Sequence, residues 1–181
     1  MPQPQRLALH PVHALIAGFL AGCAAPAGGG FRAGPEPLEP RYINPGTMAA
    51  LPGFTHAVKV GSTVYVSGEV ALDSTGQLVG PGDLRAQARQ AFANLALVLK
   101  IAGALPADVA KLTIYVVNAK PGDHDVIRAA APEFFPERNP PAGTVVGVAT
   151  LPREGLLIAV DATAVVRAMF RPVVDDRERP R

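Results

Sequence analysis

Side chains that could do acid–base or nucleophilic chemistry near neutral pH are few in this sequence and lie far apart. Of the four histidines, His56 and His124 lie outside the N-terminal segment, and they lack the spacing of metal ligands. Ser67 lies in VYVSGEV, which is not the Gly-x-Ser-x-Gly turn of a nucleophilic serine. The sequence has no phosphate-binding glycine loop either. It therefore gives no support to a serine hydrolase, a kinase, a dinucleotide-dependent enzyme or a metalloenzyme.

The elements that must position these residues become regular from about residue 54. Alternating apolar residues predict two strands on either side of a turn at Gly61 and Ser62, then a polar turn and a short strand. A long helix follows, with Asp83 as its expected N-cap and Gly103 as its expected C-cap. Its apolar stripe consists of Leu84, Ala88, Ala91, Phe92, Leu95, Leu99 and Ala102.

The second half of the chain predicts a third long strand, a second helix and two further strands. The second helix is expected to be capped at Asp123 and interrupted near Pro132. The order of elements predicts an α+β fold, in which a mixed β-sheet carries two helices packed on one face.

Composition indicates one folded domain and excludes several kinds of partner. The chain has 181 residues, of which 49% are hydrophobic and 18% charged. The net charge is +2 without a run of lysines or arginines, so we expect no nucleic-acid partner. A single cysteine excludes a disulfide framework and a thiolate zinc site.

The N-terminus resembles an export signal. Arg6 precedes the apolar run ALIAGFLAG, which is too short to span a bilayer, and LAGC ending at Cys23 is similar to a bacterial lipobox. We expect residues 1–22 to be a lipoprotein signal peptide and residues 23–41 to be a Gly/Pro-rich tether. The mature protein would then be anchored by lipid at Cys23, in the envelope outside the cytoplasmic membrane. The alternative is a misassigned start site and a cytoplasmic protein.

Residues 42–167 resemble the RidA (YjgF) family over their whole length, and residues 168–181 form a charged tail. The matching segments, in chain order, are VSGEV, NLALVLKIAGA, DVAKLTIYVVNAK, EFFPERNPPAGTVVGVATLP and LLIAVDATAVV. The resemblance implies a chorismate-mutase-like fold and a homotrimer with clefts between subunits. In active members those clefts deaminate enamine or imine intermediates to 2-oxo acids and ammonia, without a cofactor or a metal.

This chain departs from the family pattern where the substrate is held. Active members read Pro-Ala-Arg followed by Ser or Thr, and their arginine binds the substrate carboxylate. Here the same motif reads Pro141, Ala142, Gly143, Thr144. The carboxylate clamp of the family is therefore missing, and we expect activity on 2-iminopropanoate to be weak or lost.

The other cleft positions of the family are partly replaced. Alignment puts Phe54 at the cleft tyrosine, Arg128 at the cleft asparagine, Val145 at the cleft cysteine and Ala159 at the cleft glutamate, whereas Ser67 is retained. Asp161 falls at the second acidic position of that strand. The candidate ligand-binding residues are Phe54, Ser67, Arg128, Gly143 and Thr144, and no catalytic residue is assigned.

Several of these residues keep two interpretations at this point. Arg128 supplies a cation to the cleft, or it is a solvated helix residue that pairs with Asp125 or Glu133. His56 is a base in the cleft, or a strand residue at the subunit edge without an orienting partner. Ser67 binds a ligand carbonyl, or it caps a strand.

Two more expectations concern carboxylates on the predicted strands. Either Glu69 or Tyr65, which belong to the same predicted strand, faces the cleft. Asp161 is read as a structural or interface carboxylate.

Three functions remain open. The first is a divergent hydrolase of the enamine/imine deaminase type, acting on a small carbonyl- or imine-type metabolite. The second is a non-catalytic trimer at the cell envelope that binds a small molecule, which suits a protein kept away from the cytoplasmic source of imines. The third is nuclease activity, which the charge balance argues against.

Overall fold

The computed structural model describes residues 38–49 and 52–167. The expected signal peptide, Cys23, most of the tether and the charged tail lie outside the described residues. The strands are β1 (Arg41–Ile43), β2 (Ala57–Val60), β3 (Thr63–Val70), β4 (Val109–Val117), β5 (Ala142–Val148) and β6 (Ile158–Val165). The helices are α1 (Leu84–Ala102) and α2 (Asp123–Ala130), with 3-10 turns at Pro106–Asp108 and Pro132–Phe134.

The six strands form one mixed sheet in the order β1-β2-β3-β6-β4-β5. Every neighbouring pair is antiparallel except β4 and β5, which run parallel and are joined through α2. Helix α1 packs on β3 and β6 and also against α2. The buried residues of both helices belong to the same apolar core, so the predicted α+β fold with two helices on one face is confirmed.

The local signals of α1 act as the sequence predicts. The Asp83 side chain accepts a hydrogen bond from the Ala86 backbone amide, and Gly103 ends the helix in the left-handed conformation at φ 81°. The predicted apolar stripe is buried, apart from the half-buried Leu84.

A glutamine on the same helix holds two loops in place. Gln87 is fully buried, and its amide nitrogen donates to the carbonyls of Gly80 at 3.2 Å and Gly155 at 2.8 Å. Its side-chain oxygen accepts from the Leu157 amide at 2.8 Å. These bonds join α1 to the loop before it and to the start of β6.

Three details of the prediction were wrong. Gly122, not Asp123, is the N-cap of α2, and the Asp123 carboxylate accepts instead from the Lys120 amide at 2.7 Å. The expected short strand after the polar turn is only an isolated bridge between Leu72 and Leu78. Strand β1, which pairs with β2, was not predicted. As expected, α2 ends before Pro132.

Among the described residues, no helix has both the length and the apolarity needed to cross a membrane.

Candidate functional site

The first cleft is a cavity of about 250 Å³ beside the end of β3. A bulge between Val66 and Glu69 interrupts the pairing of β3 with β6 at this end. Beyond the bulge Glu69 pairs with Val160, whose side chain belongs to the helix-side core, so Glu69 also faces the helices. The polar lining of the first cleft includes His56, Ser67, Glu69, Gln90 and Asn94.

His56 and Glu69 form a buried pair in the wall of the first cleft. The imidazole Nδ1 lies 2.9 Å and 3.2 Å from the two carboxylate oxygens, and the two side chains are 9% and 4% exposed. Burial raises the pKa of the Glu69 carboxyl, and the hydrogen bond and charge of His56 offset part of that rise. His56 therefore has the orienting partner that the sequence did not reveal. Of the two candidates on β3, Glu69 lines the first cleft and Tyr65 does not.

Two of the predicted ligand-binding residues lie in the first cleft. Phe54 is 73% exposed, so its ring is free to cover a ligand. The Ser67 hydroxyl donates to the Thr55 carbonyl at 2.6 Å, which ties the bulged strand to the segment before β2. Since a hydroxyl oxygen keeps its acceptor capacity while donating, Ser67 both supports the backbone and remains able to accept a hydrogen bond.

The second cleft is a cavity of about 380 Å³ between α2 and the edge strand β5. Arg128 and His124 lie one helical turn apart and both line it, opposite Gly143, Thr144 and Val145. Within residues 38–49 and 52–167, no carboxylate lies within ion-pair distance of Arg128. The expected alternative pairing with Asp125 or Glu133 is thus not seen. His124 as a lining residue was missed by sequence reasoning.

The two clefts do not meet within one chain. Ser67 lies on β3 and Gly143 on β5, and β6 and β4 separate these strands in the sheet. Three strand spacings amount to roughly 14 Å, which is more than a small metabolite spans. The predicted site residues therefore form two groups, with Phe54 and Ser67 in the first cleft and Arg128, Gly143 and Thr144 in the second.

Neither of the positions aligned with the family's acidic residues supplies a carboxylate to one of the two clefts. Ala159 is buried in a small apolar cluster with Val70, Ala71, Leu72 and Leu156. Asp161 accepts a hydrogen bond from the Tyr115 hydroxyl at 3.1 Å. This bond, together with the carboxylate charge, raises the pKa of Tyr115. Asp161 thus has a structural partner, in agreement with its expected role. In the described part of the chain, no three His, Cys, Asp or Glu residues are grouped as metal ligands.

Comparison with known proteins places this architecture among its relatives. The family model described as Endoribonuclease L-PSP matches residues 46–166. A 2-iminobutanoate/2-iminopropanoate deaminase of Dermatophagoides farinae is 36% identical over 118 residues, which cover 65% of this chain and 83% of that protein. The corresponding deaminase of Escherichia coli is 33% identical over 122 residues, which cover 66% of this chain and 91% of that protein.

Solved structures agree with these relatives. RidA from a Psychrobacter species gives a TM-score of 0.61 at 29% identity and covers 70% of this chain and 99% of that one. The Rid-family protein YyfB from Yersinia pestis gives a TM-score of 0.55 at 44% identity, covering 70% of this chain and 98% of that one. The sequence matches and the shared fold together show that the chain belongs to the RidA (YjgF) family.

Proposed function

We propose that this protein binds a small imine- or carbonyl-type metabolite in a cleft shared by two copies of the chain and hydrolyses imines there, with an altered carboxylate clamp. Its activity on 2-iminopropanoate is then weak. The observation that carries this proposal is the second cleft, where Gly143 occupies the arginine position of active deaminases while Arg128 and His124 line the same cavity.

Arg128 and His124 can replace part of the missing clamp. A guanidinium offers paired N–H donors to a carboxylate, and the His124 imidazole offers a further hydrogen-bonding group from one turn away. Both side chains are exposed, however, and they lie on a helix, not on the strand that carries the arginine in active members. We therefore expect the site to hold a ligand carboxylate more loosely, or to bind a ligand whose anionic group lies closer to α2.

A second copy of the chain would bring the two clefts together. Strand β5 is a sheet edge whose residues are largely exposed, including Val145 at 43%. Exposed apolar edges are usually covered in a native assembly. The homotrimer implied by the family resemblance supplies such a cover, and it would set the first cleft of one copy beside the second cleft of its neighbour.

The test is an ammonia-release assay on the full chain with 2-iminopropanoate and 2-iminobutanoate generated in situ. The parent is compared with Gly143→Arg and with Gly143→Gln, which adds bulk without charge. The position accepts a side chain, because an added Cβ would meet only the Pro141 carbonyl oxygen, at 4.0 Å. A restored charged hydrogen bond is worth about 1.5–3 kcal/mol, so Gly143→Arg should raise kcat/KM by about 10- to 150-fold.

The outcomes separate catalysis from assembly. Equal rates in Gly143→Arg and Gly143→Gln would contradict the lost-clamp argument. A monomer by light scattering would contradict the shared cleft. If no variant releases ammonia from any imine, the deaminase proposal fails.

A non-catalytic ligand-binding trimer is the second candidate, and Ala159 favours it. The family glutamate is replaced there by a methyl group within an apolar cluster, so this position has no carboxylate to activate water. Binding of pyruvate by a parent that turns over no imine would support this candidate. An anchor at Cys23 would suit it as well, since such a protein would be held away from the enzymes that release imines. The nuclease activity named in the family description is not supported, because the net charge is only +2 and the sequence has no run of basic residues to bind phosphates.

A further inference from the structure

The buried His56–Glu69 pair is a titratable cluster that the family resemblance does not assign. Its geometry is set from several sides. The His56 amide donates to the Asn44 side-chain oxygen at 3.1 Å, and its carbonyl accepts from the Ser67 amide at 2.9 Å. The β3 bulge then directs Glu69 at the ring. Such a constrained pair cannot rotate freely to find other partners.

One nitrogen of the pair is left without a hydrogen bond. An ionised carboxylate only accepts, so Nδ1 of His56 carries the proton that it shares with Glu69. Nε2 then presents a lone pair. It is buried, and within the described residues it is the single buried side-chain nitrogen or oxygen that has no partner. A buried polar atom without a hydrogen bond destabilises the fold, so its retention calls for a functional explanation.

The space beside the ring is suited to a small polar molecule. His56 and Glu69 both line the first cleft, together with Ser67 and Asn94. The other carboxylate in the lining, Asp73, is already engaged, because its Oδ1 accepts from the Thr75 amide and hydroxyl and from the Gln77 amide. Glu69 is thus the lining carboxylate that contacts the imidazole. Because His56 lines the first cleft, a hydrogen-bond partner for Nε2 can come from this cavity.

We infer that His56 is the acid–base residue of this cleft and that Glu69 is its positioning residue. This inference rests on the proposed imine hydrolysis. Residue 159 carries a methyl group within the apolar cluster of Val70 and Ala71, so it offers no carboxylate to a ligand. The general base has thus moved from β6 to the His56 ring beside β3.

The chemistry balances with water as the sole co-reactant. Nε2 takes a proton from water as the water oxygen bonds to the iminium carbon, and the C=N electron pair moves onto nitrogen. The imidazolium then protonates the amine nitrogen of the carbinolamine. The C–N bond breaks, ammonia leaves, and the carbinolamine hydroxyl becomes the carbonyl as it returns its proton to Nε2. That proton leaves as ammonium, so that an iminium and water give a 2-oxo acid and ammonium.

The first experiment follows the histidine directly in the full chain. Long-range ¹H–¹⁵N NMR of ¹⁵N-histidine protein reports the protonation of each ring nitrogen, and the His56 signals are assigned by their loss in His56→Gln. Nδ1 should be protonated, and the Nε2 resonance should shift saturably when pyruvate is added as the probe. An Nε2 resonance that does not respond to pyruvate overturns the inference. This measurement needs no turnover, and the variant serves only to assign the His56 signals.

The second experiment is kinetic. His56→Gln should lower kcat about 100-fold or more with little change in KM, and the acidic limb of the pH–rate profile should disappear. Glu69→Gln should reduce kcat less and move that limb, which a merely structural role would not do. Full activity with an unchanged profile in His56→Gln refutes the inference while leaving the proposed function intact. A parent without turnover refutes the proposed function and with it the acid–base role, and the pyruvate titration then shows only whether His56 contacts a ligand.

Discussion

Replacing Arg128 by glutamine tests whether this side chain serves a ligand or only covers a helix. Arg128 is exposed, and no carboxylate of the described residues lies within ion-pair distance, so its removal should change the free energy of unfolding by less than about 0.5 kcal/mol. A ligand carboxylate in the open second cleft should lose a charged contact worth about 1–2 kcal/mol. The resulting loss of affinity is about 5- to 30-fold.

The assay is calorimetric binding of pyruvate, read together with urea unfolding. Arg89→Gln is the matched control, because Arg89 is also an exposed helical arginine and lines neither cleft. The loss in Arg128→Gln should shrink as salt is raised, since exposed charges are screened. An equal loss in Arg89→Gln would mean that only net charge matters. Unchanged affinity would refute the ligand-binding role, and destabilisation above about 1 kcal/mol would show that Arg128 has a structural role instead.

Three further predictions concern a buried charge, a buried amide and the N-terminus. Because burial raises its pKa, Glu69 stabilises the fold below its unfolded pKa of about 4.3 and loses that contribution as pH rises through the higher native value. Parent stability in urea titrations should therefore fall relative to Glu69→Gln as the pH is raised above about 4.3. Gln87→Ala leaves three backbone partners unpaired and should cost about 3 kcal/mol or more, seen as a lower urea midpoint; a loss below about 1 kcal/mol would mean that water replaces the amide. In bacterial cells, a lipoprotein signal-peptidase inhibitor should leave a larger, unprocessed form of the parent, and Cys23→Ala should not incorporate labelled palmitate; unchanged mobility would contradict lipidation.

Local physics explains why much of the fold was predictable. The apolar spacing of α1, the Asp83 cap and the Gly103 terminus each depend on residues within a few positions, so sequence alone locates them. The cap of α2 was misassigned because Gly122 and Asp123 are adjacent and both suit a helix start. Strand β1 was missed because three residues carry too little periodicity to show.

The sequence by itself determined the order of the two helices and of strands β2 to β6, the family and the missing arginine at Gly143, because those are properties of residue types and their spacing. Only the tertiary structure decided which side chains meet. His56 and Glu69 are 13 positions apart and touch because a hairpin and a bulge bring them together. Arg128 and Gly143 share a cleft because α2 and β5 border the same cavity. Strand order keeps that cleft apart from Ser67, since sheet neighbours are chosen by packing across the whole core rather than by local propensity.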